Sequence, residues 1–254
     1  APVMKEILNT LQVADYEFVA ALMKNWVNFT DDAEVERRIR AFEASGSPVD
    51  RERLDEKLEQ EIRYLGSSDI AYLLRRLSGR EPGVSFREVL RDVAHTLKVR
   101  PDRLGTDREV LEDLVEQYAT QQFAGLPPEE QQRMLEDLGV EKEKAAAFVL
   151  RSAGVFALPV MIEAFSAVVV EGLIKRVILA TIAKFLGEQA ARKIFLWIAG
   201  RFPWWLRWVG PAAWTASISW TAIDLQGPAM RKTVPVALYL GLCCLRQSSA
   251  VVES

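Results

Sequence analysis

The feature that most constrains this chain is the unequal division of charge and of Trp between its two parts. Residues 1–150 hold 21 Lys and Arg against 30 Asp and Glu, a formal balance of −9, whereas residues 151–254 hold 11 against 5, a balance of +6. Six of the seven Trp residues lie between Trp197 and Trp220. A division of this kind indicates that the two parts face different surroundings. We therefore predict an acidic amphipathic helical domain in residues 1–150 and a basic, Trp-rich apolar helical segment in residues 151–254.

Helix starts and apolar stripes are clearest in the first part. Ser85 with Glu88, and Thr106 with Glu109, have the spacing of a capping box, in which a hydroxyl and a carboxylate satisfy unpaired backbone amides at a helix start. Behind each start, apolar residues recur at intervals of three and four, the period of a helix with one buried face. The two stripes are Phe86, Val89, Leu90, Val93 and Leu97, and Val110, Leu111, Leu114, Val115 and Tyr118.

No stretch alternates as a β-strand does, and no period of 20–50 residues repeats along the chain. The sequence therefore predicts an all-α fold, with an acidic multi-helix N-terminal part followed by an apolar helical C-terminal part.

Two apolar runs in the second part, residues 154–170 and 202–223, approach the length of a membrane span. A spanning helix needs about 20 predominantly apolar residues. The first run is short and contains Pro159 and Glu163, and the second is interrupted by prolines and a glycine. Three interpretations stay open: a buried helical core, a segment that lies in or conditionally enters the membrane interface, and a constitutive span.

The Trp cluster supplies the candidate contact residues. Indole rings favour the membrane–water interface, and neighbouring cations attract anionic lipid. We predict that these side chains contact a membrane surface or an apolar protein client. The set is Trp197, Trp204, Trp205, Arg207, Trp208, Trp214 and Trp220.

Two glutamates lie in the apolar second part. Glu163 is a candidate polar switch, because a buried carboxyl group is neutral when it is inserted in an apolar medium. Glu171 follows eight residues later, about 12 Å away along a helix, which is too far for a joint acid–base site. An ion pair with Lys175 or Arg176, or a polar seam within a bundle, explains these carboxylates better.

The sequence contains no recognisable catalytic constellation. His95 is the only histidine, and it follows Asp92 by one turn of a helix. A structural metal site needs about four ligands, and no Cys or second His lies nearby. We therefore predict no catalytic residue, no metal and no cofactor. The acidic first part also argues against a nucleic-acid partner.

The cysteines and the N-terminus indicate a compartment. Cys243 and Cys244 are adjacent, and adjacent cysteines rarely bridge one another, which favours a reducing environment. The first residues are amphipathic and lack the apolar core of a signal peptide. We expect a cytoplasmic protein that is peripheral to the inner membrane or inserted in it.

Two segments carry a resemblance to a known family. Residues 85–99 read SFREVLRDVAHTLKV and residues 227–238 read GPAMRKTVPVAL. Both are similar to segments of the bacterial YaaW-like family, whose members run Gly-x-Ala-Tyr-Arg-x-Thr-Ile-Pro-Ala at the second; here Met230 replaces the aromatic residue. That family is grouped with the ubiquinol–cytochrome c chaperones, helical assembly factors for a respiratory membrane protein. The resemblance implies a helical, chaperone-like or assembly role.

A structural pair is also predicted near the second segment. Asp224 and Arg231 bracket the turn at Gly227-Pro228, so their side chains could pair across it.

Our leading hypothesis is a non-enzymatic, membrane-associated helical protein that acts as a chaperone or assembly factor. One alternative is a soluble helical interaction module whose apolar half is core. Another is an enzyme with an unrecognised helical site near His95.

Overall fold

A computed structural model describes residues 5–24, 32–65, 85–102, 104–205 and 230–252. These ranges are helical and contain no β-strand, which confirms the predicted all-α class. Twelve α-helices occur in them: α1 (Lys5–Leu8), α2 (Val13–Lys24), α3 (Asp32–Ser45), α4 (Pro48–Leu65), α5 (Phe86–Leu97), α6 (Asp107–Gly125), α7 (Pro128–Asp137), α8 (Lys142–Ser152), α9 (Leu158–Ala164), α10 (Ala167–Leu186), α11 (Glu188–Arg201) and α12 (Met230–Val252).

The helix starts at α5 and α6 follow from their capping residues. The hydroxyl of Ser85 accepts a hydrogen bond from the backbone N–H of Glu88 (3.3 Å), and that of Thr106 accepts one from Glu109 (3.2 Å). Caps of this kind contribute about 1 kcal/mol each. Every residue of the two predicted apolar stripes is buried. The positions at which these two helices begin are thus confirmed.

Helix α12 is the centre of the fold. Every residue from 233 to 244 is buried, and the helix packs against α6, α10, α2 and α5. A helix enclosed in this way must be apolar around its whole circumference, which is the pattern of residues 234–245. Buried side chains from before and after residue 150 belong to one apolar cluster. The division into two domains at that residue stays a prediction about composition.

The apolar run at residues 154–170 is not one helix. Helix α9 ends at Ala164, and α10 begins at Ala167 after Ser166, whose hydroxyl accepts a hydrogen bond from the N–H of Val169 (3.2 Å). None of the helices in the described ranges has both the length and the apolar content needed to cross a membrane. Most of the second run, residues 206–223, lies outside the described residues.

The closest approach between α12 and α6 is at Gly241. A Cβ atom there would overlap Cγ2 of Val115 and lie 3.5 Å from Cδ1 of Leu111. Glycine is therefore required because side chains of α6 fill the space that a Cβ atom would occupy, and not for a special backbone conformation.

We expect Gly241→Ala to lower the free energy of unfolding by about 1–3 kcal/mol, because the added methyl group overpacks a closed interface. Gly200→Ala is the matched control: it is also helical, but its Cβ would meet nothing within 4 Å. That substitution should be neutral or stabilise by up to about 1 kcal/mol. Urea unfolding of both variants measures the difference, and equal effects would contradict the close approach.

Candidate functional site

A buried polar network joins the first and last parts of the chain. Asp15 of α2 has no exposed surface. Its carboxylate accepts hydrogen bonds from the hydroxyl of Tyr239 (2.7 Å), from Nη1 of Arg246 (3.0 Å) and from the backbone N–H of Gln12 (2.7 Å). The indole N–H of Trp205 donates to the Tyr239 hydroxyl (3.2 Å). The network therefore links α2 and α12 to the segment after α11.

The phenol of Tyr239 and the thiols of Cys243 and Cys244, one turn further along α12, are held neutral. Burial raises the pKa of Tyr239 well above its usual value, and the negative charge of Asp15 adds to that effect. Burial raises the pKa of Cys243 in the same way, and it raises that of Cys244 to about 12. A thiol or phenol with a raised pKa is not an activated nucleophile. The Asp15 network thus contributes to the stability of the fold, and neither the phenol nor the thiols beside it are ionised near neutral pH.

Three of the Trp residues that we predicted to contact a membrane surface or an apolar client lie in the described residues. Trp205 is fully buried, with the rings of Phe18 and Phe195 at centroid distances of 5.5 and 5.6 Å. Its assignment is corrected: an indole with both a polar partner and aromatic neighbours inside the protein belongs to the core. Trp204 is half-buried, and the guanidinium of Arg246 lies 5.5 Å from its ring centroid.

Trp197 on α11 is 46% exposed, next to the exposed Leu196, and so keeps a free surface. The other predicted contact residues lie outside the described residues: Arg207, Trp208, Trp214 and Trp220. The pairing of Asp224 with Arg231 also falls outside them, because Asp224 and the side chain of Arg231 are not described.

Exposed aliphatic side chains occur instead along the segment that runs from the end of α8 through α9 to the start of α10. We call residues 150–168 the apolar elbow. Five of its aliphatic side chains are between 44% and 82% exposed. They are Leu150, Val155, Val160, Ile162 and Val168. Single exposed aliphatic residues are ordinary on protein surfaces, but a concentration of them indicates a contact site.

The backbone explains why these side chains point outward. Helix α8 ends at Ser152, and the next two residues, Ala153 and Gly154, have the positive φ values (49° and 83°) that terminate a helix. The seven residues of α9 then include only one buried side chain, Met161. A helix this short cannot bury a continuous stripe, so its remaining aliphatic residues stay at the surface.

Aromatic contacts hold the elbow in place from beneath. Phe156 packs edge-on against Phe123 of α6 at 4.9 Å, and Phe165 packs edge-on against Phe148 of α8 at 4.6 Å, both between ring centroids. Such pairs contribute about 0.5–1.5 kcal/mol beyond the area that they bury. The exposed side chains therefore project from a packed base.

An acidic hollow of about 520 Å³ adjoins the elbow. Asp113, Glu116 and Gln117 of α6 form one wall, and Val155 and Phe156 belong to the other. Burial raises the pKa of the Glu116 carboxyl, and the charges of Glu112 and Asp113 add to the shift. The hollow thus has one acidic wall and one apolar wall.

The remaining residues singled out in the sequence lie on α5, α9 and α10. Glu163 is exposed on α9, whereas the switch hypothesis supposes a buried carboxyl, so the switch stays a prediction for a form inserted in lipid. Glu171 pairs with Lys175, with 2.9 Å between Oε1 and Nζ, which confirms the expected ion pair. His95 and Asp92 are both exposed on α5. Partial burial raises the pKa of Asp92, and the charge of Glu88 adds to it.

Fold and surface together define an all-helical protein with a buried polar network and an exposed apolar elbow. No protein-family model matches the chain, and no solved structure matches it. A UPF0174 protein of Helicobacter pylori strain J99 is 23% identical over 203 residues, covering 77% of this chain and 72% of that protein. The chain is therefore similar to a bacterial protein whose name states no activity.

We expect Asp15→Asn to reduce the free energy of unfolding by about 3–5 kcal/mol, because it leaves the half-buried guanidinium of Arg246 beside a side chain without a compensating charge. Glu52→Gln, at an exposed position of α4, removes the same charge and should change stability by less than about 0.5 kcal/mol. The double variant Asp15→Asn/Arg246→Gln should recover part of the loss. Guanidinium unfolding measures all three, and a loss below about 1 kcal/mol for Asp15→Asn would contradict the network.

The raised pKa of Glu116 predicts that the stability of the fold depends on pH. An acid with a higher pKa in the folded protein than in the unfolded chain destabilises the fold as pH rises above its unfolded-state value. Glu116→Gln should therefore raise the melting temperature at pH 7, and the gain should vanish below about pH 4, where the carboxyl is protonated in both states. Melting curves from pH 3.5 to 8 test this, with Glu52→Gln as the control. A gain independent of pH would exclude the titration as its cause.

Proposed function

We propose that this is a non-enzymatic helical protein that associates with a membrane surface through the apolar elbow. The exposure of five aliphatic side chains on a packed base, in contrast to the enclosed helix α12, carries the proposal. Removing aliphatic surface from water contributes about 25 cal/mol per Å². The elbow therefore supplies a driving force for entry into the acyl boundary of a bilayer without any spanning helix.

Apolar burial, and not charge, is the main force that would hold the protein at the membrane surface. Lys144 and Arg151 lie in α8 beside the elbow, but Glu163 and the acidic wall of the neighbouring hollow oppose them. Anionic lipid would consequently add little at this site. Leu196 and Trp197 on α11 offer a second exposed apolar pair for the same interface.

The proposed location is the cytoplasmic face of the inner membrane. Both cysteines are buried and free, which suits a reducing compartment. The chaperone-like or assembly role implied by the YaaW-like resemblance is part of the same proposal: the elbow would meet an apolar client at the membrane.

A second candidate is a helical interaction module that binds a protein partner away from lipid. The burial of Trp205 and the two-sided hollow favour it, because an acidic wall facing an apolar one suits a basic amphipathic helix. The enzyme alternative has less support, since the buried thiols and Tyr239 are held neutral. A His95→Ala variant that loses a measurable activity would revive it.

Co-flotation with phosphatidylcholine vesicles tests the leading proposal. We expect the wild-type protein to float and the double variant Val160→Glu/Ile162→Glu to stay at the bottom, because two charges then replace the surface that enters the bilayer. Leu104→Glu is the matched control: Leu104 is 95% exposed but lies outside the elbow, so its substitution should leave flotation unchanged.

Circular dichroism should show the same melting temperature for all of these proteins, since the substituted side chains are exposed. If the wild-type protein does not float, the membrane proposal is rejected and the protein-partner candidate takes its place. Flotation that survives the double variant would move the contact away from the elbow.

A further inference from the structure

A groove with a basic rim lies at helix α5 and the segment that follows it. Its volume is about 1020 Å³. Cationic side chains of four residues, with His95, line it above an apolar floor. The four are Arg87, Arg91, Lys98 and Arg100, and the floor includes Leu90, Ala94, Val99 and Val110.

Three of the four cations are available to a ligand. Arg87 is committed to the fold, because its Nε lies 2.6 Å from Oδ1 of Asp107 and its Nη2 donates to the carbonyl of Gly105 (2.7 Å). Arg91, Lys98 and Arg100 are exposed, and the structure shows no ion pair for them with any residue that it describes.

The charge of the groove departs from that of its surroundings. Asp92 is the acidic residue among the described residues that line the groove, while residues 1–150 as a whole are strongly acidic. Cations gathered in a concave site on an acidic protein focus a local positive potential. An anionic ligand would be attracted there although the chain as a whole repels anions.

Lys98 occupies a position that favours glycine. It ends α5 in the left-handed conformation (φ 57°, ψ 40°), and its N–H closes the helix on the carbonyls of Ala94 and His95. Residues other than glycine are strained in this conformation. A cation also stabilises the negative end of a helix. Lys98 therefore serves the end of α5 with its backbone N–H and its charge, and its side chain also lines the groove.

We propose that this groove binds a compact phosphate-bearing molecule that also has an apolar part. The guanidinium groups of Arg91 and Arg100 suit phosphate oxygens, because each presents parallel N–H donors in a planar fork. Lys98 adds a point charge, and the buried floor beside Leu90 and Val110 covers the apolar part. The volume matches that of small-molecule sites.

Isothermal titration calorimetry of the full chain with sodium pyrophosphate tests whether the groove binds phosphate. We expect saturable binding at one site, weakened on the order of tenfold by Arg91→Gln and by Arg100→Gln, since each removes a charge-assisted contact. Arg133→Gln, an exposed arginine on α7, is the matched control and should leave the affinity unchanged. No saturable binding, or an equal loss in the control variant, would overturn the proposal. Equal affinity for citrate would overturn the phosphate class.

Lys98→Gly separates binding from stability. Because glycine relieves the left-handed strain, this variant should melt at a temperature at least as high as that of the wild-type protein. Its affinity for pyrophosphate should nevertheless fall severalfold. Unchanged affinity would assign Lys98 to the helix end alone and count against the groove.

Vesicles distinguish the two sources of the phosphate. If flotation with phosphatidic acid requires Arg91 and Arg100, the ligand is a lipid headgroup. If pyrophosphate binding requires them and flotation does not, the ligand is a soluble phosphate ester. Either result supports the phosphate site. The membrane proposal is tested separately, with the elbow variants on vesicles of phosphatidylcholine alone.

Discussion

The carboxylate of Asp15 is the constraint on which the arrangement of the chain depends. A charge without solvent contact must be compensated inside the protein, and here the compensation comes from Tyr239 and Arg246, more than 220 residues later. Helix α12 can satisfy Asp15 only in one register and one orientation. The polar network therefore fixes the position of a helix that apolar packing alone would hold less specifically.

Helices α2, α5, α6 and α10 surround α12 with their apolar faces. The exposed aliphatic residues of the elbow take no part in this enclosure, and they are the largest group of exposed aliphatic side chains in the described ranges. The burial of apolar faces around α12 thus fills the interior, while the elbow stays exposed and is suited to contact.

Local features were predictable wherever local physics decides them. The caps at Ser85 and Thr106, the stripes behind them, and the ion pair of Glu171 with Lys175 all depend on residues within four positions of one another. The exposure of the elbow could not be predicted from the sequence. Its residues form part of an apolar run that reads equally well as core or as membrane contact, because periodicity does not tell which apolar face has a partner.

The sequence by itself determined the helical class, the helix starts at α5 and α6, and the contrast in composition between the two parts. Tertiary structure alone decided that Trp205 is enclosed while Val155 and Val160 are not. It also decided that Asp15 meets Arg246. The physical reason is that burial and charge pairing depend on residues distant in the chain, whereas helix formation depends on near neighbours.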